Sequence, residues 1–208
     1  GGVDGLFVAG TAGLGSILTD AQHEQLVRLA VEHVAGRLPV LAGVLEPSTA
    51  RTVERIRRIE ALGPSEVVVV APYYLRAQSE TQILRHFEVI RNHTALPIAV
   101  YNLPGCVGAK IPVQVLCELA KRGWIGACKD SSGNDAYFTE LCRRGAEHGL
   151  RVYQGLRPDF AKLAELGAAG CVPVPANLRP EQYAEAWRQC DDPVAQPRLQ
   201  ASCDALWR

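Results

Sequence analysis

Trp124-Ile-Gly-Ala-Cys-Lys129-Asp-Ser-Ser-Gly133 is an apolar run of strand length that ends in one lysine and then breaks into a polar turn. A lysine at the rim of an apolar strand is costly to keep charged, because burial disfavours the ammonium and pushes its pKa down. A lysine that spends more of its time as a neutral amine can attack a carbonyl carbon and form a Schiff base. A plainer reading stands beside it: a strand-end lysine whose ammonium reaches water or pairs with Asp130. The strand's place among its neighbours decides between the two.

Outward from this stretch, apolar runs at 6–9, 39–44, 66–71, 97–101, 124–129, 150–154 and 170–174 alternate with helical patterns. Val67-Val-Val-Val70 is an unbroken β-branched run, which predicts a strand buried on both faces, as in parallel sheets covered by helices. Thr19 with Gln22, and Ser79 with Gln82, are capping-box signatures that open helices. The first of these helices carries an apolar stripe of Val27, Ala30, Val31 and Val34. A helix over 48–62 stops at Gly63-Pro64, and further helices are predicted over 112–122, 135–148, 159–166 and 180–189. Strict alternation with short links implies a parallel sheet with right-handed crossovers.

Two architectures satisfy that order, an open doubly wound sheet and a closed (β/α)8 TIM barrel. Thr11, Tyr73, Tyr74, Tyr101, Asn102, Lys129, Gly155 and Asn177 all fall at or just after strand ends. A barrel gathers every such position on one rim, where active sites are built. A doubly wound sheet spreads them along a line, most of them outside its single crevice. The pattern therefore predicts an α/β fold, a (β/α)8 TIM barrel one strand–helix unit short, with residues 1–208 as one catalytic barrel domain. The absence of methionine, including an initiator, adds to the expectation of a trimmed start.

Composition excludes several classes. Lys+Arg 22 against Asp+Glu 22 gives a formal net charge of zero, which points away from nucleic acid and anionic membranes. The 48% hydrophobic content comes in pieces too short to span a bilayer, and the first residues lack a signal-peptide pattern. Seven cysteines, odd in number and without a C-x-x-C pair, argue against a disulfide framework or zinc site and suit a reducing cytoplasm. The histidines fall in helical stretches without metal-ligand spacing and read as packing or surface residues. Gly10-Thr-Ala-Gly-Leu-Gly15 is neither a dinucleotide fingerprint nor a Walker loop. Ser131 and Ser132 read as turn formers, since the G-x-S-x-G elbow is absent. Arg157 reads as a helix-start surface charge, with a substrate clamp as the alternative.

Gly10-Thr-Ala-Gly13, Pro72-Tyr-Tyr74, Tyr101-Asn-Leu-Pro104 with Gly108, and Gly126-Ala-Cys-Lys129-Asp-Ser-Ser-Gly133 stand in this order, followed by Gly155 and Ala176-Asn177. Together they resemble the motifs of the dihydrodipicolinate synthase / N-acetylneuraminate lyase superfamily of class I aldolases. The resemblance implies that Lys129 forms a Schiff base with pyruvate or another 2-oxo acid, and that Tyr101 relays protons to the substrate oxygen. It implies that Thr11 binds the carboxylate and links to that relay, with the amides of Thr11 and Ala12 forming a carboxylate nest. Gly10, Gly155, Val172 and Asn177 complete the implied substrate-binding set. Tyr74 matches a tyrosine that reaches a neighbouring site in a homodimer or homotetramer. Neither metal nor organic cofactor is implied; the partners are a 2-oxo acid and an aldehyde.

Three departures shape the expectation. The family barrel has a strand and helix before its glycine-rich turn, so the first strand here matches the family's second. Ala12 stands where many members carry a second threonine or serine. Cys106 stands where the lysine-pathway synthases carry an arginine for the second substrate's carboxylate. The last departure favours an aldolase for a 2-oxo-3-deoxy sugar acid. The alternatives are dihydrodipicolinate synthase itself, acting on pyruvate and aspartate semialdehyde, and a truncated barrel that binds a 2-oxo acid without turnover.

Overall fold

Each predicted apolar run contains a strand in the computed structural model, which describes residues 1–75 and 79–207. The strands are β1 Leu6–Val8, β2 Val40–Val44, β3 Glu66–Val69, β4 Ile98–Asn102, β5 Ala127–Asp130, β6 Arg151–Gln154 and β7 Gly170–Cys171. All neighbours pair in parallel, and the sheet order is sequential from β1 to β7. A doubly wound sheet requires the order to reverse at a switch point. No reversal occurs here, so that architecture is excluded.

The sheet is curled. Phe7 on β1 packs edge-on against Tyr101 on β4 with ring centroids 5.9 Å apart, and Lys129 Nζ on β5 lies 5.1 Å from the Phe7 ring centroid. Strands three and four places apart in a flat sheet would be separated by about 14 and 19 Å. Bending the sheet into a barrel wall brings them into contact. Among the described residues no ladder joins β7 to β1, so the wall has seven strands and a seam.

Strand alternation sorts side chains into two layers. Leu41, Leu45, Val68, Val70, Ala99, Tyr101 and Ala127 face inward and form one apolar cluster with Phe7 and Tyr153. Val44, Val67, Val69, Val100, Cys128 and Val152 face outward and join the larger core beneath the helices. β3 is buried at every residue, as the unbroken valine run predicts.

The outer layer comprises α1 Asp20–Val34, α2 Thr49–Ile59, α3 Glu80–Arg91, α4 Pro104–Val107, α5 Val113–Lys121, α6 Asp135–Ala146, α7 Phe160–Glu165, α8 Pro180–Arg188 and α9 Gln196–Ala205. The Thr19–Gln22 capping box is present in full. α4 and α9 are not signalled by the periodicity. β7 is shorter than the run at 170–174, because Pro173 cannot donate to a ladder and the chain turns into a 3-10 segment at Val174–Asn177. Two histidines lock helices to strand ends. His23 Nε2 is 2.7 Å from the Gly43 carbonyl, and His86 Nε2 is 3.1 Å from that of Val70. Among the described residues no helix is long and apolar enough to cross a membrane.

Candidate active site

Lys129 lies in register with Tyr101 on β4 and Tyr153 on β6. Parity turns Lys129 into the barrel and Asp130 out beneath the helices. That geometry removes the pairing of Lys129 with Asp130. The Asp130 carboxylate is instead held by Asn102 Nδ2 at 2.6 Å and Ser132 Oγ at 2.8 Å. Lys129 Nζ lies 4.5 Å from the Tyr101 ring centroid and 5.1 Å from that of Phe7. Burial among these rings pushes its pKa from 10.5 down to about 8.

Room for the lysine depends on Gly155, whose amide donates to the Asp130 carbonyl at 2.7 Å. A Cβ at this position would come within 2.1 Å of Ser131 Oγ and 2.7 Å of Lys129 Cε. The glycine-rich turn after β1 is held just as closely. Cβ atoms at Gly15 and Gly43 would meet the Ala9 carbonyl oxygen at 1.8 and 2.2 Å, so this carbonyl is seated between two glycines. Ala9 itself takes a left-handed φ of 53°.

A cavity of about 310 Å³ opens beside the lysine, at the seam between β1 and β7. Of the expected site residues, Gly10, Thr11, Ala12, Tyr101 and Lys129 line it from one side, Val172 and Asn177 from the other. Gly155 supports the lysine from behind. Asn177 Nδ2 donates to the Val174 carbonyl at 2.8 Å. Tyr74 lies outside the cavity, 91% exposed, with a φ of 67° that is strained for a bulky side chain.

The expected link between Thr11 and Tyr101 takes a different form. Among the described residues no hydrogen bond joins them, and the Tyr101 hydroxyl accepts one from Ser131 Oγ at 3.5 Å. Ser131 and Phe7 are therefore site residues that the sequence reading missed. Strand parity is the signal that could have found Ser131: it is two residues past Lys129 and continues on the inner face. Arg157 does not line this cavity. It pairs with Asp204 at 2.7 Å in a separate hollow of about 590 Å³ between α6, α7 and α9. Cys106 is exposed on α4 and does not line the cavity.

Known proteins resemble this chain over most of its length. The model of the Dihydrodipicolinate synthetase family matches residues 1–198. A 4-hydroxy-tetrahydrodipicolinate synthase of Sphingopyxis alaskensis is 35% identical over 189 residues, 91% of this chain and 64% of that protein. The chain thus spans a little under two thirds of the length of that relative. The dihydrodipicolinate synthase structure of Thermotoga maritima superposes with a TM-score of 0.92 at 25% identity, covering 99% of this chain and 72% of that one. YagE, a prophage protein of the same family from E. coli K12, was solved in complex with pyruvate. It superposes with a TM-score of 0.90 at 26% identity, covering 100% of this chain and 70% of that one.

Proposed function

The chain belongs to the dihydrodipicolinate synthetase family, and from that premise we propose that it is a class I carbon–carbon lyase holding pyruvate as an imine on Lys129. The observation that carries this reading is one amine, buried among aromatic rings, with its pKa lowered to about 8, at the wall of a cavity. Its neutral form adds to C2 of the 2-oxo acid, and the carbinolamine loses water to give the imine. The protonated imine withdraws electrons from C3, so a C3 proton leaves and an enamine forms. The enamine carbon then attacks an aldehyde, or the same steps run in reverse. Tyr101 supplies the proton transfers at the substrate oxygen, with Ser131 as its hydrogen-bonding neighbour. Thr11 and the turn amides beside it receive the carboxylate. Exposed Tyr74 would complete the site of a neighbouring protomer in a homodimer or homotetramer.

For the aldehyde, the name shared by the curated relatives supports 4-hydroxy-tetrahydrodipicolinate synthesis from pyruvate and aspartate semialdehyde. A second reading, cleavage of a 2-oxo-3-deoxy sugar acid, rests on a specific observation. Among the described residues Lys129 is the cationic side chain that lines the cavity, and Cys106 offers no charge for a second carboxylate.

Borohydride reduction in the presence of pyruvate should add a pyruvate-derived mass at Lys129. Absence of the adduct, or equal labelling of Lys129→Ala protein, would sink the imine. Turnover with pyruvate plus aspartate semialdehyde, compared with pyruvate plus glyceraldehyde, then separates the two aldehyde readings.

A further inference from the structure

Behind the lysine lies a set of polar side chains that the proposed chemistry does not touch, buried at Asn102, Asp130 and Tyr137, half-buried at Ser132 and exposed at Asn134. Asn102 and Asp130 close β4 and β5, one residue beyond Tyr101 and Lys129 and in register with each other. Both are 1% exposed and face away from the cavity. Asn102 Nδ2 donates to Asp130 Oδ1 at 2.6 Å, and Ser132 Oγ donates to Asp130 Oδ2 at 2.8 Å. Ser132 Oγ accepts from the Asn134 amide at 3.3 Å, and Asn134 Oδ1 accepts from the Tyr137 amide at 2.9 Å. The Tyr137 hydroxyl donates to the Ile111 carbonyl at 2.6 Å, and the Ile111 amide donates back to Asn102 Oδ1 at 3.1 Å. The circuit closes on the residue where it began.

We propose that this hydrogen-bonded ring is the positioning device of the imine site, with Asn102 and Asp130 as positioning residues that hold Lys129 and the Tyr101 phenol at their working separation. The inference rests on the reading of Lys129 as the imine-forming residue. It follows from where the ring is attached. One side chain, Asn102, ties together the end of β4, the end of β5 and the far end of the loop that follows β4. The backbone ladder makes its last bonds at these ends, from the Ser131 amide to the Asn102 carbonyl at 2.8 Å and from the Gly155 amide to the Asp130 carbonyl at 2.7 Å, and the two reacting side chains stand one residue short of them. The part of the ring nearest the lysine, Asn102 with Asp130, is buried and satisfied, which makes it rigid, whereas loss of Asn102 leaves the buried Asp130 carboxylate with only its Ser132 bonds. Misplacing reacting groups by about 1 Å costs on the order of 100-fold in rate.

Wild-type, Asn102→Ala and Asp130→Asn proteins, each first checked for folding by circular dichroism, are compared by two readouts. The first is the rate of borohydride trapping of pyruvate at Lys129. The second needs no pyruvate: reductive methylation of Lys129 by formaldehyde across pH gives the midpoint of the amine itself. Asp130→Asn keeps every heavy atom of the ring, with its amide now donating to Ser132 Oγ, and should retain both the rate and the midpoint. Asn102→Ala should slow trapping by roughly 10- to 100-fold. It should also move the midpoint up from about 8 toward 10.5 as the lysine gains water. If Asn102→Ala does not fold, Ser132→Ala opens the ring at its half-buried side and should slow trapping several-fold. A folded ring-opened variant with wild-type rate and midpoint overturns the proposal. So does an Asp130→Asn protein as impaired as Asn102→Ala, since charge rather than geometry would then be acting. If wild-type protein fails to trap pyruvate while the methylation contrast holds, the imine reading falls and the positioning role stands.

Discussion

The burial that would make Lys129 a nucleophile also makes it a destabilising residue. Its pKa is about 8 in the folded chain against 10.5 for the free side chain, because burial disfavours the ammonium. Below pH 8 both folded and unfolded states carry the proton, and the folded state bears the whole desolvation cost. Between these two values the native amine is already neutral while the unfolded one is not, so the cost shrinks as pH rises. Lys129→Met should therefore be more stable than wild type by roughly 1–3 kcal/mol at pH 7, with the gain fading by pH 10. Denaturant unfolding of both proteins at the two pH values checks this; a gain that does not change with pH contradicts the assignment. Tyr101→Phe separates packing from proton transfer. It keeps the ring against Phe7 and Lys129 and removes only the hydroxyl. Imine trapping should persist while turnover falls by about 10²- to 10⁴-fold. Loss of trapping as well would give the phenol a role in imine formation that the reading above does not include.

At the scale of elements, the site depends on backbones that approach more closely than side chains allow. Gly155 follows β6 at the point where Ser131 and Lys129 need its missing Cβ. Gly155→Ala should fold but lose most pyruvate trapping, as the new methyl must displace the Lys129 side chain or Ser131. Mass spectrometry of the borohydride-treated variant reads this directly, and wild-type labelling would show that the strand end can yield. The helix ends were more legible than the strand ends. Thr19, Ser48, Ser79, Asn134 and Asp159 each accept an amide hydrogen bond in the first turn of the helix they open, and such caps are local events. α9 lacks a side-chain cap and a strong apolar stripe, which is why nothing in its sequence announced it.

For the whole molecule, His86 ties three elements together. The Val70 carbonyl can only accept, so Nε2 carries the proton and Nδ1 accepts from Thr49 Oγ1 at 2.8 Å. Burial pushes its pKa from 6.5 down to about 4, so the unfolded state binds a proton that the folded state refuses. Stability from this group is present above pH 6.5 and is lost as pH falls toward 4, by up to about 3 kcal/mol. Glu66 and Asp130, whose pKa values burial raises, act in the opposite sense, so the group is isolated by difference. His86→Gln should be less stable at pH 7 and should lose less than wild type between pH 6.5 and 4.5. Parallel losses in denaturant midpoint would rule out His86 as the source.

The sequence by itself determined the alternation of strands and helices, the positions of the turns, and Lys129 as the residue to watch. These are readable because period, capping and turn chemistry act over a few residues. The shared rim was inferred from where polar residues follow strands, and the parallel sequential order bears that inference out. Only the tertiary structure decided what surrounds the lysine. Curling the sheet brings Phe7 under an amine about 120 residues away in sequence, places Ser131 rather than Thr11 at the Tyr101 hydroxyl, and opens the cavity at the seam between β1 and β7. The closed ring through Asn102 and Asp130 belongs to the same level. Each of its residues has an ordinary local reading as a strand end or a turn, and the circuit exists only once two strand ends, a loop and a helix meet. Burial, which lowers the lysine's pKa, is likewise a property of everything around it rather than of the stretch that carries it.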